Sequence, residues 1–175
     1  PMFSERLQEA GYSLFYVGKW HVSQEKNPRD HGWEEPDEET KRKLWLPSPP
    51  EAALLRDGYY LRRTGYEPYL LYGVVKGGPE NMSEYRMSLY AAEKVKELAR
   101  SSRPWCLYVG LHGPHDPYIA PESYARIYDP GGVPKPANFD DRMEDKPGVY
   151  RRHREELWGT LKWENYAQAI ALYWA

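Results

Sequence analysis

The chain has 175 residues, with 24 Lys and Arg against 26 Asp and Glu, and a formal net charge of −2. That balance excludes the strongly basic profile of a nucleic-acid binder and the like-charge block of an acidic tail. No apolar run reaches the ~18 residues that a membrane-crossing helix needs.

Leu, Ile, Val and Phe make up only 30 of the 175 residues, while 16 Tyr and 7 Trp supply large apolar areas of their own. With so little net charge, that mixture describes loop-built surface around an aromatic core, or a piece of a larger domain. The length suits one domain. The lone cysteine, Cys106, excludes an internal disulfide.

Residues 1–10 are expected to form a helix, with Phe3, Leu7 and Ala10 on one face and Gly11 as its left-handed terminator. Ser13 to Val17 has the aromatic and branched content of a short strand, which runs into Gly18-Lys19-Trp20-His21. Residues 23–81 carry charge clusters, Pro47-Ser-Pro-Pro50 and Tyr/Gly-rich stretches, and are expected to be mostly irregular. An irregular stretch of that length is uncommon unless functional. Asn81 to Ala99 is the strongest helix pattern. Asn81 and Glu84 form a capping box, and Met87, Ala91, Val95 and Leu98 form its apolar stripe.

Trp105 to Leu111 is a continuous apolar run, as expected of a strand buried on both faces. Residues 121–150 are a Pro/Gly/Asp-rich loop. Thr160 is placed to cap a last helix with Trp163, Tyr166, Ile170 and Tyr173 on one face. Strand, helix and strand in alternation predict an α/β architecture. The uncapped first helix and the last helix without a stop signal suggest a chain cut at both ends.

Two polar clusters each follow a predicted strand, the place where open α/β sheets bind ligands. In Gly18-Lys19-Trp20-His21, the glycine permits a sharp turn. Lys19 and His21 are two apart on an extended segment and so share a side, facing an anion. In His112-Gly-Pro-His115-Asp-Pro117, two prolines stiffen a turn between two histidines. Rigid placement serves a proton donor to a leaving oxygen, and two histidines three apart also suit a shared metal ion. Each cluster has a bland counterpart, a surface Lys beside a half-buried His and a polar turn after a buried strand.

Cys106, in mid-strand, has the setting of an inert apolar residue. Asp140-Asp141 is a solvated acidic pair or a cation site. Asn81-Met-Ser83 matches a glycosylation sequon that a helix-cap role already explains. Gly77-Gly78 is a turn, and His31 is a loop histidine at the surface.

Taken together, the clusters resemble a known family. Gly11-Tyr12-Ser-Leu-Phe-Tyr-Val-Gly18-Lys19-Trp20-His21 is similar to the second signature of the type I, formylglycine-dependent sulfatases. His112-Gly-Pro-His115-Asp-Pro117 resembles their later Pro-His-x-Pro segment, and Leu157-Trp158 with Tyr166-Ala167-x-Ala-Ile170 resembles the helix that follows it. Leu14 stands where the family has Thr and Ser23 where it has Gly. The Cys/Ser-x-Pro-Ser-Arg nucleophile motif and the Asp metal ligands have no match in these residues.

The resemblance implies an alkaline-phosphatase-like α/β sandwich, with helices on a mostly parallel central sheet, of which residues 1–175 are an internal segment. It implies hydrolysis of a small-molecule or carbohydrate sulfate ester, with a formylglycine nucleophile and a calcium ion whose ligands both lie outside this chain. On it, Lys19 binds the sulfate and the formylglycine oxygen, His21 hydrogen-bonds the formylglycine hydroxyl, and His115 contacts the bridging oxygen of the leaving alcohol. His112 is an adjacent substrate-side residue. The fragment by itself is expected to be inactive. A phosphonate or phosphate monoester hydrolase of the same superfamily and a non-catalytic binding homologue remain the alternatives.

Overall fold

The computed structural model describes residues 2–45, 55–62, 66–159 and 161–175. In chain order its elements are α1 (Phe3–Glu9), β1 (Ser13–Gly18), α2 (Glu38–Leu44), β2 (Leu55–Leu61), β3 (Tyr69–Val75), α3 (Ser83–Leu98), β4 (Trp105–Gly110), β5 (Tyr118–Pro121), α4 (Gly148–His153) and α5 (Trp163–Trp174). They fall into two compact units, one from residues 1–48 and 82–113, the other from residues 49–81 and 114–175.

The first unit is built on β1 and β4, a parallel pair in register from Ser13 opposite Trp105 to Gly18 opposite Gly110. Alternation along β1 serves two faces. Val17 packs with Leu44, Met87 and Ala91 on the α3 side. Leu14 and Tyr16 pack with Trp33, against Leu7 of α1 and Cys106. Met87 and Val17 are almost wholly buried, each contributing roughly 1.5–3 kcal/mol of apolar burial. Phe15 meets Tyr90 of α3, and the Lys94 ammonium lies 4.2 Å from the Phe15 ring centre.

Helix α1 closes as its sequence predicts. Gly11 sits at φ +84°, its amide donates to the Gln8 carbonyl and the Tyr12 amide donates to the Leu7 carbonyl, the paired bonds of a left-handed helix terminator. Its inner face is different from the expected one. Ser4 is the buried residue, Leu7 is half-buried, and Phe3 and Ala10 are exposed. The expectation that β4 is buried on both faces also fails. Tyr108 is 46% exposed and Val109 39%, because β4 has only β1 beside it among the described residues. Tyr108 instead stacks flat on Tyr16, with ring centres 4.9 Å apart.

Helix α3 begins at Ser83 with Met82 as its cap residue, so Asn81 is not the cap. The Asn81 side-chain amide donates instead to the Lys76 carbonyl in the turn made by Gly77. Met87 and Ala91 are buried, as the stripe predicts, whereas Val95 is exposed.

Residues 23–81 hold more order than their composition suggests. Helix α2 is almost entirely charged and buries only Leu44, so no apolar period announces it. It is held by local chemistry. The Asp37 carboxylate accepts from the Thr40 amide at its start, and Lys41–Glu38 and Lys43–Glu39 pair along its surface.

The second unit contains the sheet β2-β3-β5, with β2 antiparallel to β3 and β3 parallel to β5. Strand β2 escapes detection because register shifts interrupt its pairing and Asp57 takes a positive φ, which breaks the two-residue period. Leu61, Leu71, Tyr72, Ala120, Leu161, Ala169 and Leu172 form its core. Helix α5 faces that core with Ala169 and Leu172, while Tyr173 is 49% exposed, so its buried face is turned from the one expected. Thr160 and Pro47-Ser-Pro-Pro50 lie outside the described residues. Residues 122–147 are mainly turns, in keeping with their Pro and Gly content.

Two of the three strand pairings are parallel and helices pack on them. The architecture is α/β, with parallel strand pairing in both sheets.

Candidate active site

At the carboxyl end of the first unit's parallel pair, two backbones cross. Gly18 has φ +109°, and a Cβ there would overlap the Gly110 carbonyl. A Cβ on Gly110 would stand 2.7 Å from the Lys19 carbonyl oxygen. Only glycine fits at either position. The crossing lets the Lys19 amide donate to the Gly110 carbonyl at 2.7 Å. It also brings the Lys19 carbonyl under the Tyr16 hydroxyl, which donates to it. Burial, with Tyr108 and Glu35 nearby, pushes the Tyr16 phenol up to about 12, so it remains a donor through the neutral range.

Trp20 anchors the segment. Its ring packs edge-on against Tyr16 at 5.4 Å and tilts over His31 at 5.7 Å, and its indole N–H donates to the Lys26 carbonyl. His31 is therefore a structural residue, half-buried and 3.4 Å from the Glu5 carboxylate, whose pKa it lowers by hydrogen bonding. Lys19 is half-buried and His21 exposed. Neither side chain makes a hydrogen bond or ion pair with a described residue.

The same end of the pair carries His112, two residues after Gly110. Its ring meets Trp45 edge-on at 6.2 Å. The turn after it is tied to α3, where the Glu84 carboxylate accepts from the Gly113 amide at 3.0 Å and from the Ser83 hydroxyl. Glu84, expected to complete a capping box, instead fixes the turn beside His112. The first unit thus brings Lys19, His21 and His112 to one strand end.

His115 belongs to the second unit. Its Nδ1 lies 2.6 Å from the Asp116 carbonyl oxygen and 3.0 Å from Asp116 Oδ1. A carbonyl can only accept, so Nδ1 carries the proton in this hydrogen bond. The Tyr69 hydroxyl donates to the other Asp116 oxygen, Oδ2. The Tyr69 phenol is pushed well above its ordinary range by burial first, then by its hydrogen bond to Asp116. Tyr69 and Asp116 also line an open-sided cavity of about 330 Å³, with Leu61, Tyr66, Glu67 and Trp158. The sequence offered no sign of the Tyr69–Asp116 contact, because its partners lie 47 residues apart.

Cys106 is half-buried in β4 and burial raises its thiol pKa, in keeping with an inert role. Among the described residues no group of three His, Cys, Asp or Glu side chains could hold a metal ion. Asp140 pairs with Lys135 at 2.8 Å, and Asp141 accepts from the Met143 amide. Asp140 and Asp141 therefore gather no ligand set for a calcium ion among the described residues.

The first unit is thus a parallel strand pair that ends in a glycine crossing, with a lysine and histidines at its carboxyl edge. The Sulfatase family model matches residues 1–172, and the chain belongs to that family, within the alkaline phosphatase superfamily. It is also 29% identical over 143 residues to the choline-sulfatase of Rhizobium meliloti (strain 1021), a match covering 74% of this chain. The chain spans about a quarter of that relative's length, the match covering 26% of it.

Proposed function

We propose that the protein to which these residues belong hydrolyses sulfate monoesters, and that this chain supplies its anion-binding and leaving-group residues. The observation that carries the reading is the glycine crossing of Gly18 and Gly110, which sets Lys19 at a strand end with no ion pair to a carboxylate among the described residues. The family match supports it.

In the transition state, negative charge grows on the sulfate oxygens and on the departing oxygen. Fixed donors aimed at those oxygens are the largest source of rate in such sites. Lys19 is a compact point charge suited to a tetrahedral anion. His21, on the same exposed turn, adds a donor. His115 holds its Nδ1 proton on Asp116 and, as an imidazolium, presents Nε2–H to the leaving oxygen. His112 supports the sulfate side from the neighbouring turn. The covalent chemistry belongs to a formylglycine carried by a segment outside these 175 residues. The cavity lined by Tyr66, Tyr69 and Trp158 takes the organic part of the ester, and a small organic sulfate such as the choline ester named for the relative is one candidate.

The test is direct. Purified full-length protein should hydrolyse nitrophenyl sulfate faster than nitrophenyl phosphate, and intact-mass and peptide analysis should show an aldehyde at the nucleophile position. Faster turnover of the phosphate would move the protein to the phosphate monoester branch. Turnover of neither, with tight sulfate-ester binding, would make it a binding homologue.

A further inference from the structure

We infer that Tyr69 is a positioning residue that acts through Asp116 on His115; the inference rests on the reading of His115 as the leaving-group donor.

The sheet creates the arrangement. Tyr69 opens β3 and pairs with Leu61 of β2, which fixes its backbone. Parallel pairing of β3 with β5 sets Tyr72 opposite Tyr118, so the ends of the two segments that precede this pair lie together, and there Tyr69 meets Asp116. The chain of contacts is then Tyr69 hydroxyl to Asp116 Oδ2, and Asp116 Oδ1 to His115 Nδ1 at 3.0 Å.

Each link has a different task. The Asp116 carbonyl, 2.6 Å from Nδ1, selects the tautomer. The carboxylate sets the plane of the ring. That carboxylate sits on a side chain 35% exposed, and the histidine side chain is 49% exposed, so water competes for both. The Tyr69 hydroxyl is what holds the carboxylate turned toward the ring. Burial and its bond to Asp116 hold the phenol above its ordinary range, so it remains a donor near neutral pH. Removing it leaves His115 with its tautomer but takes one restraint from the ring plane, and Nε2 shifts relative to the leaving oxygen. Misplacement on the scale of an ångström costs about 10²-fold in rate.

The test is Tyr69→Phe in the full-length protein, assayed on a series of sulfate esters of rising leaving-group pKa. The expected result is a loss in kcat that grows along the series, smallest with nitrophenyl sulfate and between about 10- and 100-fold with poor leaving groups. The slope of log kcat against leaving-group pKa steepens, as it does in His115→Ala, and the double variant is no slower than His115→Ala. A uniform loss across the series, or a rise in KM alone, overturns the inference, because Tyr69 would then support the fold or touch the substrate from the cavity wall.

A second readout needs no turnover. In nitrogen-labelled protein, the His115 Nδ1–H signal should be slow to exchange in the wild type and exchange-broadened in Tyr69→Phe. Equal signals in the two proteins overturn the positioning role. Failure of the underlying reading looks different, since His115→Ala itself would then show no dependence on the leaving group.

Discussion

The two polar turns are built by opposite means. The turn at Gly18–His21 is shaped by backbone, with two glycines crossing at the strand ends and the side chains of Lys19 and His21 taking no part in holding it. The turn at His115–Asp116 is shaped by side chains, with a ring held on a carboxylate that is held on a phenol. A backbone-built site fails by unfolding when its shaping residues change. A side-chain-built site fails by losing aim while the fold survives.

The largest expected effect breaks the first kind. Gly18→Ala places a Cβ into the Gly110 carbonyl at a φ that L residues avoid. Such strain costs on the order of 1–3 kcal/mol for the conformation alone, with the backbone clash in addition. Chemical denaturation should show at least that loss, whereas His115→Ala should leave the midpoint nearly unchanged. Equal stability of Gly18→Ala and wild type would remove the crossing from the account.

Lys19→Ala should lower turnover by about 10²–10³, the scale for one oxyanion donor, with no shift in melting temperature, because no described residue depends on its side chain. A smaller effect is expected at Glu84. Its bond to the Gly113 amide is worth about 1 kcal/mol, so Glu84→Ala should speed hydrogen exchange at Gly113 with a modest loss of stability. Unchanged exchange there would mean the His112 turn holds its shape without α3.

The smallest effect is a pH dependence away from both turns. The Asp37 carboxylate caps α2, and its bond to the Thr40 amide lowers its pKa below the ordinary 3.8. A lowered pKa in the folded state gives stability that is present above the unfolded value and lost as pH falls through the folded one. Amide protection in α2 should therefore hold at neutral pH and fade below about pH 4. In Asp37→Asn that fading should disappear, and its persistence would place the titrating group elsewhere.

The same contrast explains what the sequence disclosed. Gly18, Lys19 and His21 are contiguous, and glycine at a strand end has few uses, so the backbone-built turn was legible from eleven residues. Tyr69 lies in a Tyr-rich stretch without a visible period, and its link to Asp116 exists only through the β3–β5 pairing. Helix α2 was hidden because its cohesion is ionic and capping rather than apolar. The Asn81 cap was misplaced by a single residue, and with it went the assignment of Glu84, whose carboxylate turns to Gly113 instead of back to the helix start. The expectation of a doubly buried β4 came from its apolar run, and among the described residues no strand beyond β1 stands beside it to cover Tyr108 and Val109.

The most direct test of the central claim is the leaving-group dependence of His115→Ala in the full-length protein. An activated phenol leaves without help, while a sugar or alkyl alcohol needs a proton, and a positioned donor is worth about 10²–10⁴-fold. The account predicts a small loss with nitrophenyl sulfate, a loss in that range with an alkyl sulfate, and no such steepening in His112→Ala. An equal loss across all leaving groups in both histidine variants would contradict it.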